Sequence, residues 1–185
     1  CPRISPLPPD FDTLQAIIVR PEEQQDRATI ARVVEAAFGR TDEARLVEAL
    51  RAGGHAVSQL TLVAEQDGTV VGHVMQSYVT LHGDEDRRVL ALAPLAVIPA
   101  RQRDGIAGAL MREAIRLADE RGEALIVLLG HPAYYPRFGF EHARVLGIEP
   151  PTPAFPDAAF MVRRLSAYDP RYRGRVVYPP AWGIE

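Results

Sequence analysis

The chain has 185 residues, a formal net charge of -3 and a mean hydropathy of -0.08, which suits one domain with a real core. All 21 basic residues are arginine, and there is neither lysine nor asparagine. Arginine in place of lysine is what a GC-rich coding sequence produces, so no function is read from it. The absence of lysine still excludes a Walker A phosphate loop, a pyridoxal phosphate Schiff base and a kinase-type nucleotide lysine. No apolar run approaches the ~20 residues that span a bilayer, and the proline-rich polar start, Cys1 to Asp10, is unlike a signal peptide. Cys1 is the single cysteine, which leaves no internal disulfide and no cysteine metal cluster. With no basic run and few aromatics, neither a nucleic-acid nor a membrane partner is expected, and a cytoplasmic location is the default.

In chain order, residues 1–14 read as a loose arm. Ala16 to Arg20 is a short β-rich run ended by Pro21. Asp26 is placed to cap a helix whose apolar positions, Ile30, Val33, Val34, Ala37 and Phe38, follow a 3.6-residue period. Thr41 opens a second helix with Leu46, Val47 and Leu50 on one face, ended by Gly53-Gly54. A strand over Leu60–Ala64 leads into Asp67-Gly68, a strong hairpin signal, and a second strand over Thr69–Thr80. After the charged turn Gly83–Asp86 comes the apolar run Val89–Val97. A helix over Ile106–Arg121 and a wholly apolar strand, Ala124–Leu129, follow. Short strands are expected near Phe140–Ala143 and Ala159–Leu165, then a tail carrying Tyr172, Tyr178 and Trp182. This order is α+β with a mixed, mostly antiparallel sheet flanked by helices. The domain is expected over 15–165, with 166–185 packing on it or on a partner subunit, a homodimer being one arrangement.

The most informative stretch runs from Val97 to Leu110 and centres on the loop Gln102-Arg103-Asp104-Gly105-Ile106-Ala107-Gly108. The loop joins a buried strand to the start of a long helix. Small residues at Gly105, Ala107 and Gly108 let a ligand approach the backbone, and the helix's first turn offers free N–H groups and a partial positive charge. Together with Arg101 and Arg103 this is a site for phosphate or pyrophosphate; an ordinary strand-to-helix turn is the alternative from residue types alone. No serine elbow, dinucleotide fingerprint, EF-hand or metal-ligand spacing is present, and no metal is expected.

Gln102 to Ala107 fits the pattern Q/R-x-x-G-x-G/A, and in this setting the chain resembles the GNAT superfamily of acyl-CoA N-acyltransferases over roughly Ile17 to Phe140. A second match is Tyr135-Pro136-Arg137-Phe138-Gly139-Phe140, which fits Y-x-x-x-G-F. The longer run from Pro132 to Phe140 resembles a bacterial branch of the same superfamily.

The resemblance implies a splayed pair of central strands that holds acetyl-CoA. Its pyrophosphate would sit on Gln102–Gly108 and its pantetheine along Leu95, Ala96 and Val97. It implies an amine acceptor, with Tyr135 as the general acid that protonates the leaving thiolate. A bulge at Pro94 would open the gap, and the Leu95 N–H would hold the thioester carbonyl, since Pro94 has none. Family members often carry a strand glutamate as base, and Leu90–Val97 here has no acid. His131, His73, His82, Glu43 or water remain for that role. Acceptor contacts are sought among Phe38, His55, Tyr78, His82, Phe155, Tyr172 and Trp182. A non-catalytic acyl-CoA-binding module is the alternative to an enzyme.

Overall fold

The computed structural model describes residues 16–184; the expected arm, residues 1–14, lies outside them. The elements in order are β1 (Ile18–Pro21), α1 (Arg27–Phe38), α2 (Asp42–Ala52), β2 (Leu62–Gln66), β3 (Thr69–His82), β4 (Arg87–Val97), α3 (Ile106–Glu120) and β5 (Leu125–Leu129). Four short strands follow: β6 (Glu141–His142), β7 (Ile148–Glu149), β8 (Phe160–Arg164) and β9 (Gly174–Val177). They form one sheet in the order β1-β2-β3-β4-β5-β8-β6, with β9 paired to the far end of β3 and to β7.

The hairpin at Asp67-Gly68 forms as its residue pair requires. Both residues take positive φ, 51° and 72°, the mirror-image turn that matches strand twist. The strand before it begins at Leu62 instead of Leu60, because Ser58–Leu60 closes a short 3-10 turn. Asp26 does not cap α1 with its side chain. Its carboxylate accepts from both terminal nitrogens of Arg20, at 2.7 and 3.1 Å, and from the Glu23 N–H at 2.8 Å. A charged guanidinium is a stronger partner than an exposed helix amide, so the carboxylate turns towards β1.

α3 lays Ile106, Leu110, Met111, Ala114 and Ala118 on one face of the sheet, against Leu62, Val74, Leu90, Leu92 and Ile126. α1 and α2 cover the opposite face with Ile30, Val33, Val34, Val47 and Leu50, packed on Val63, Met75 and Ala96. The C-terminal segment adds Tyr178 and Trp182 to that second face.

One irregularity positions everything that follows. Val74 pairs with Leu95 but Gln76 pairs with Leu92, so Ala93 and Pro94 together face Met75. Two residues against one is a β-bulge, placed where the resemblance implies it. Parallel pairing of β4 with β5 is confined to Leu90–Ile126 and Ala91–Val127. Beyond the bulge the two central strands have parted.

Candidate active site

Backbone direction at the gap follows from the ladder. The Ile98 N–H donates to the Val71 carbonyl at 3.0 Å, so this pair is hydrogen-bonded, and so is His73–Ala96 two residues on. Antiparallel pairs alternate. Leu95 and Val97 therefore turn their N–H and C=O groups away from β3, towards the gap beside β5. Ala96 turns its own towards β3 and buries its methyl group under α1. Of the three strand residues expected to hold a ligand, two face the gap and Ala96 does not. The Val97 carbonyl accepts a hydrogen bond from Gln102 Nε2 at 3.1 Å, which ties the loop to the strand.

A cavity of about 610 Å³ runs from this gap along the start of α3. It is lined by Leu95, Val97, Gln102, Arg103, Gly105, Ala107 and Gly108 from the expected set. Arg101, Arg112, Tyr134, Arg137 and Phe138 complete it. Gly105 precedes the helix with φ +81°, a conformation that suits glycine and frees the first-turn amides for a ligand. Arg103 shares this left-handed geometry at φ +73°, less usual for a side chain. Asp104 faces Arg101 at 3.8 Å, and the Ile106 side chain lies in the core. These two contribute backbone to the loop, and neither side chain lines the cavity.

The groove is strongly cationic. Among the described residues Arg103, Arg112 and Arg137 make no salt bridge, nor does Arg163, which joins Arg112 and Arg137 around an adjacent hollow. Guanidinium groups without carboxylate partners beside a helix N-terminus favour a polyanion, and Arg137 is steadied there by donating to the Tyr134 carbonyl at 2.9 Å. Arg112 escaped the sequence reading, although it lies four residues beyond Gly108, one turn further along the same helix face.

A second cavity, of about 490 Å³, opens on the other side of the bulge and shares Leu95 with the first. Its floor is Ala91–Pro94 and Leu128–Gly130; its walls include Phe38, Arg40, Glu43, Leu46, Tyr135, Phe155, Tyr178, Trp182 and Ile184. Tyr134 and Tyr135 divide between the two spaces, their rings 5.1 Å apart and edge to face. Tyr135 lies flat against Gly130: a Cβ there would meet its Cε2 at 2.2 Å, so a bare backbone is required. Burial pushes the Tyr135 phenol up to about 12, with the neighbouring Tyr134 adding to it, and Tyr134 is itself raised by burial.

The base candidates separate clearly. His73 is fully buried, and desolvation holds it neutral with a pKa of about 3. His82 is exposed at the far end of β3, 2.6 Å from Asp86. His131 lines neither cavity; its Nδ1 accepts from the Ala133 N–H at 3.2 Å. Glu43 does reach the second cavity, but Arg40 Nε donates to both its oxygens, at 3.0 and 3.1 Å, and holds its carboxyl below the usual range. Of the aromatic and histidine acceptor candidates, Phe38, Phe155 and Trp182 line the space. His55, Tyr78, His82 and Tyr172 do not.

Residues 19–143 match the acetyltransferase (GNAT) domain. The chain belongs to the GNAT family. It is 37% identical over 151 residues to the uncharacterized N-acetyltransferase YhbS of Escherichia coli strain K12, covering 81% of this chain and 88% of that protein. It is 39% identical over 120 residues to the uncharacterized N-acetyltransferase YjhQ of the same strain, covering 64% of this chain and 66% of that relative. Among solved structures, GNAT YhbS from Escherichia coli in complex with CoA superposes with a TM-score of 0.84 at 33% identity, over 95% of this chain and 96% of that one. A GNAT acetyltransferase from Brucella melitensis in complex with acetyl-CoA gives 0.74 at 34% identity, over 91% and 99%. The sheet, the parted β4 and β5 and the glycine loop before α3 are thus a GNAT acetyltransferase framework.

Proposed function

We propose that this GNAT protein transfers the acetyl group of acetyl-CoA to a primary amine, and that the two cavities hold donor and acceptor. Leu95 carries the reading: it is common to both spaces, and its N–H is turned into the gap between the strands. The CoA diphosphate would lie on the first turn of α3 with Arg103 and Arg112 beside it. The pantetheine would run along Leu95 and Val97, in the manner of an added strand. The thioester oxygen would accept from the Leu95 N–H, a fixed donor that favours the oxyanion over the planar carbonyl.

A neutral amine from the second cavity attacks the carbonyl carbon. The N–C bond forms, the C–S bond breaks, and the amine proton passes to solvent. Glu43, held ionised by Arg40, is a poor base for it. Tyr135 donates its phenolic proton to the departing sulfur and is reprotonated from water. A phenol near 12 remains protonated at working pH, which a general acid needs.

Release of free thiol from acetyl-CoA, followed with a panel of primary amines, tests the transfer, while calorimetry with CoA tests the donor site. Amine-dependent release above hydrolysis is expected. Absence of CoA binding at millimolar concentration overturns the reading; binding without amine-dependent release leaves an acyl-CoA-binding protein in its place.

A further inference from the structure

The second cavity states what kind of amine it accepts. Phe155, Tyr178 and Trp182 form a continuous wall: the first two ring centroids are 6.4 Å apart, and Tyr178 meets Trp182 edge to face at 4.7 Å. Phe155 is backed by the buried Phe160 at 6.1 Å, so the wall rests on core and not on a free loop. Phe38 and Tyr135 close the other sides. A volume of about 490 Å³ with this lining is the size and character of a small-molecule site.

Charge narrows the choice. Among the lining residues only Arg40 and Glu43 are charged, and they are joined to each other. A polycation would need several carboxylates to replace its hydration, and here the single one is already taken. One polar group in the wall remains unused. Tyr178 is only 9% exposed, and its hydroxyl has no hydrogen-bond partner among the described residues. A phenol O–H can donate, so it calls for an acceptor atom on whatever fills the space.

We infer that the acceptor is a primary amine carried on an aryl or similarly bulky apolar body with a hydrogen-bond acceptor atom, and not a polyamine or aminoglycoside. This rests on the N-acetyltransferase reading for its role, but the site itself can be tested without turnover. Trp182 is the only tryptophan in the chain, so its fluorescence reports occupancy of this cavity directly.

The full chain, saturated with CoA, is titrated with 2-(4-methoxyphenyl)ethylamine, 2-(4-ethylphenyl)ethylamine, spermidine and kanamycin. Saturable quenching by the arylethylamines is expected, at least tenfold tighter than any response to the two polycations. A polycation bound as tightly, or no saturable response to either arylethylamine, overturns the inference. Tyr178→Phe keeps the ring and removes the donor. By calorimetry it should weaken the methoxy compound about tenfold and leave the ethyl compound unchanged, with CoA affinity unaltered as the folding control. Equal losses for both compounds would remove the hydrogen bond from the argument. Quenching without thiol release would count against the transfer reaction alone, whereas thiol release confined to spermidine or kanamycin would count against the substrate class alone.

Discussion

The groove along α3 and the chamber behind Pro94 share Leu95 and are otherwise built in different ways. The groove draws most of its lining from a single stretch, Leu95 to Arg112, and works through backbone N–H groups, a helix terminus and arginines. The chamber gathers side chains from both ends of the described chain, Phe38 to Ile184, and works through ring surfaces and a few polar atoms. On the proposed reading, one binds by charge and peptide direction, which tolerate many side chains. The other binds by shape, which tolerates few. A donor common to a whole family fits the first construction, and an acceptor particular to one member fits the second.

Substitutions should therefore separate cleanly into donor and acceptor effects. The largest is expected where the two sides meet: Tyr135→Phe should lower kcat by about 10²- to 10³-fold, the range of a lost general acid. Acetyl-CoA KM should stay within about twofold, because the ring contacts survive. Tyr134→Phe, on the groove side, should leave kcat nearly intact; the reverse result would exchange the roles of the two phenols.

Next is Asp26→Ala, which strips Arg20 and the Glu23 N–H of their shared partner. Arg20 keeps Glu65 at 2.9 Å, so the loss should fall near 2 kcal/mol in denaturant unfolding, below the range for a fully orphaned charge. Arg20 holds the Asp26 carboxyl below its usual range. A lowered folded pKa means this stabilisation is present above the unfolded value, near 4, and fades as pH falls through the folded one. Wild type and variant should thus converge in stability in acid below about pH 4. Since α1 ends in Phe38, acceptor KM should rise more than acetyl-CoA KM; equal changes would mean that the chamber is not independent of the groove.

Gly105→Val should act on the donor alone. A β-branched residue forced to φ +81° costs about 1–2 kcal/mol, which appears as roughly a tenfold higher acetyl-CoA KM with kcat little changed. The smallest effect is expected for Arg112→Ala, about threefold in CoA affinity and shrinking as salt is raised, as for an exposed charge beside a polyanion. A salt-independent loss would indicate that Arg112 acts through packing.

The same contrast explains what could be read from residue order. Strands β1 to β5, the three helices and the loop before α3 depend on local periodicity and turn chemistry, all visible within short windows. The bulge at Pro94 follows from the family resemblance, and β7 and β9 leave no such signal. Ala96 reads like Leu95 and Val97 because a run of letters does not show which amides a ladder consumes; the Ile98–Val71 hydrogen bond does. His73 looked like a candidate base only until its strand was seen in the middle of the sheet, where desolvation removes its basicity. Glu43 reads as a base from its residue type, but Arg40, three residues before it, holds its carboxylate. Tyr178 and Ile184 could not be connected to Phe38 by any spacing rule, since only tertiary folding brings the end of the chain to the junction of α1 and α2.

That last placement divides the two spaces along the chain. The segment that marks the family ends at residue 143, and Phe155, Tyr178, Trp182 and Ile184 all come after it. The groove along α3 therefore lies wholly inside the family segment, whereas the chamber is closed in part by residues beyond it. On the proposed reading, exchanging Phe155, Tyr178 and Trp182 would change which amines the chamber admits and leave the groove along α3 as it is.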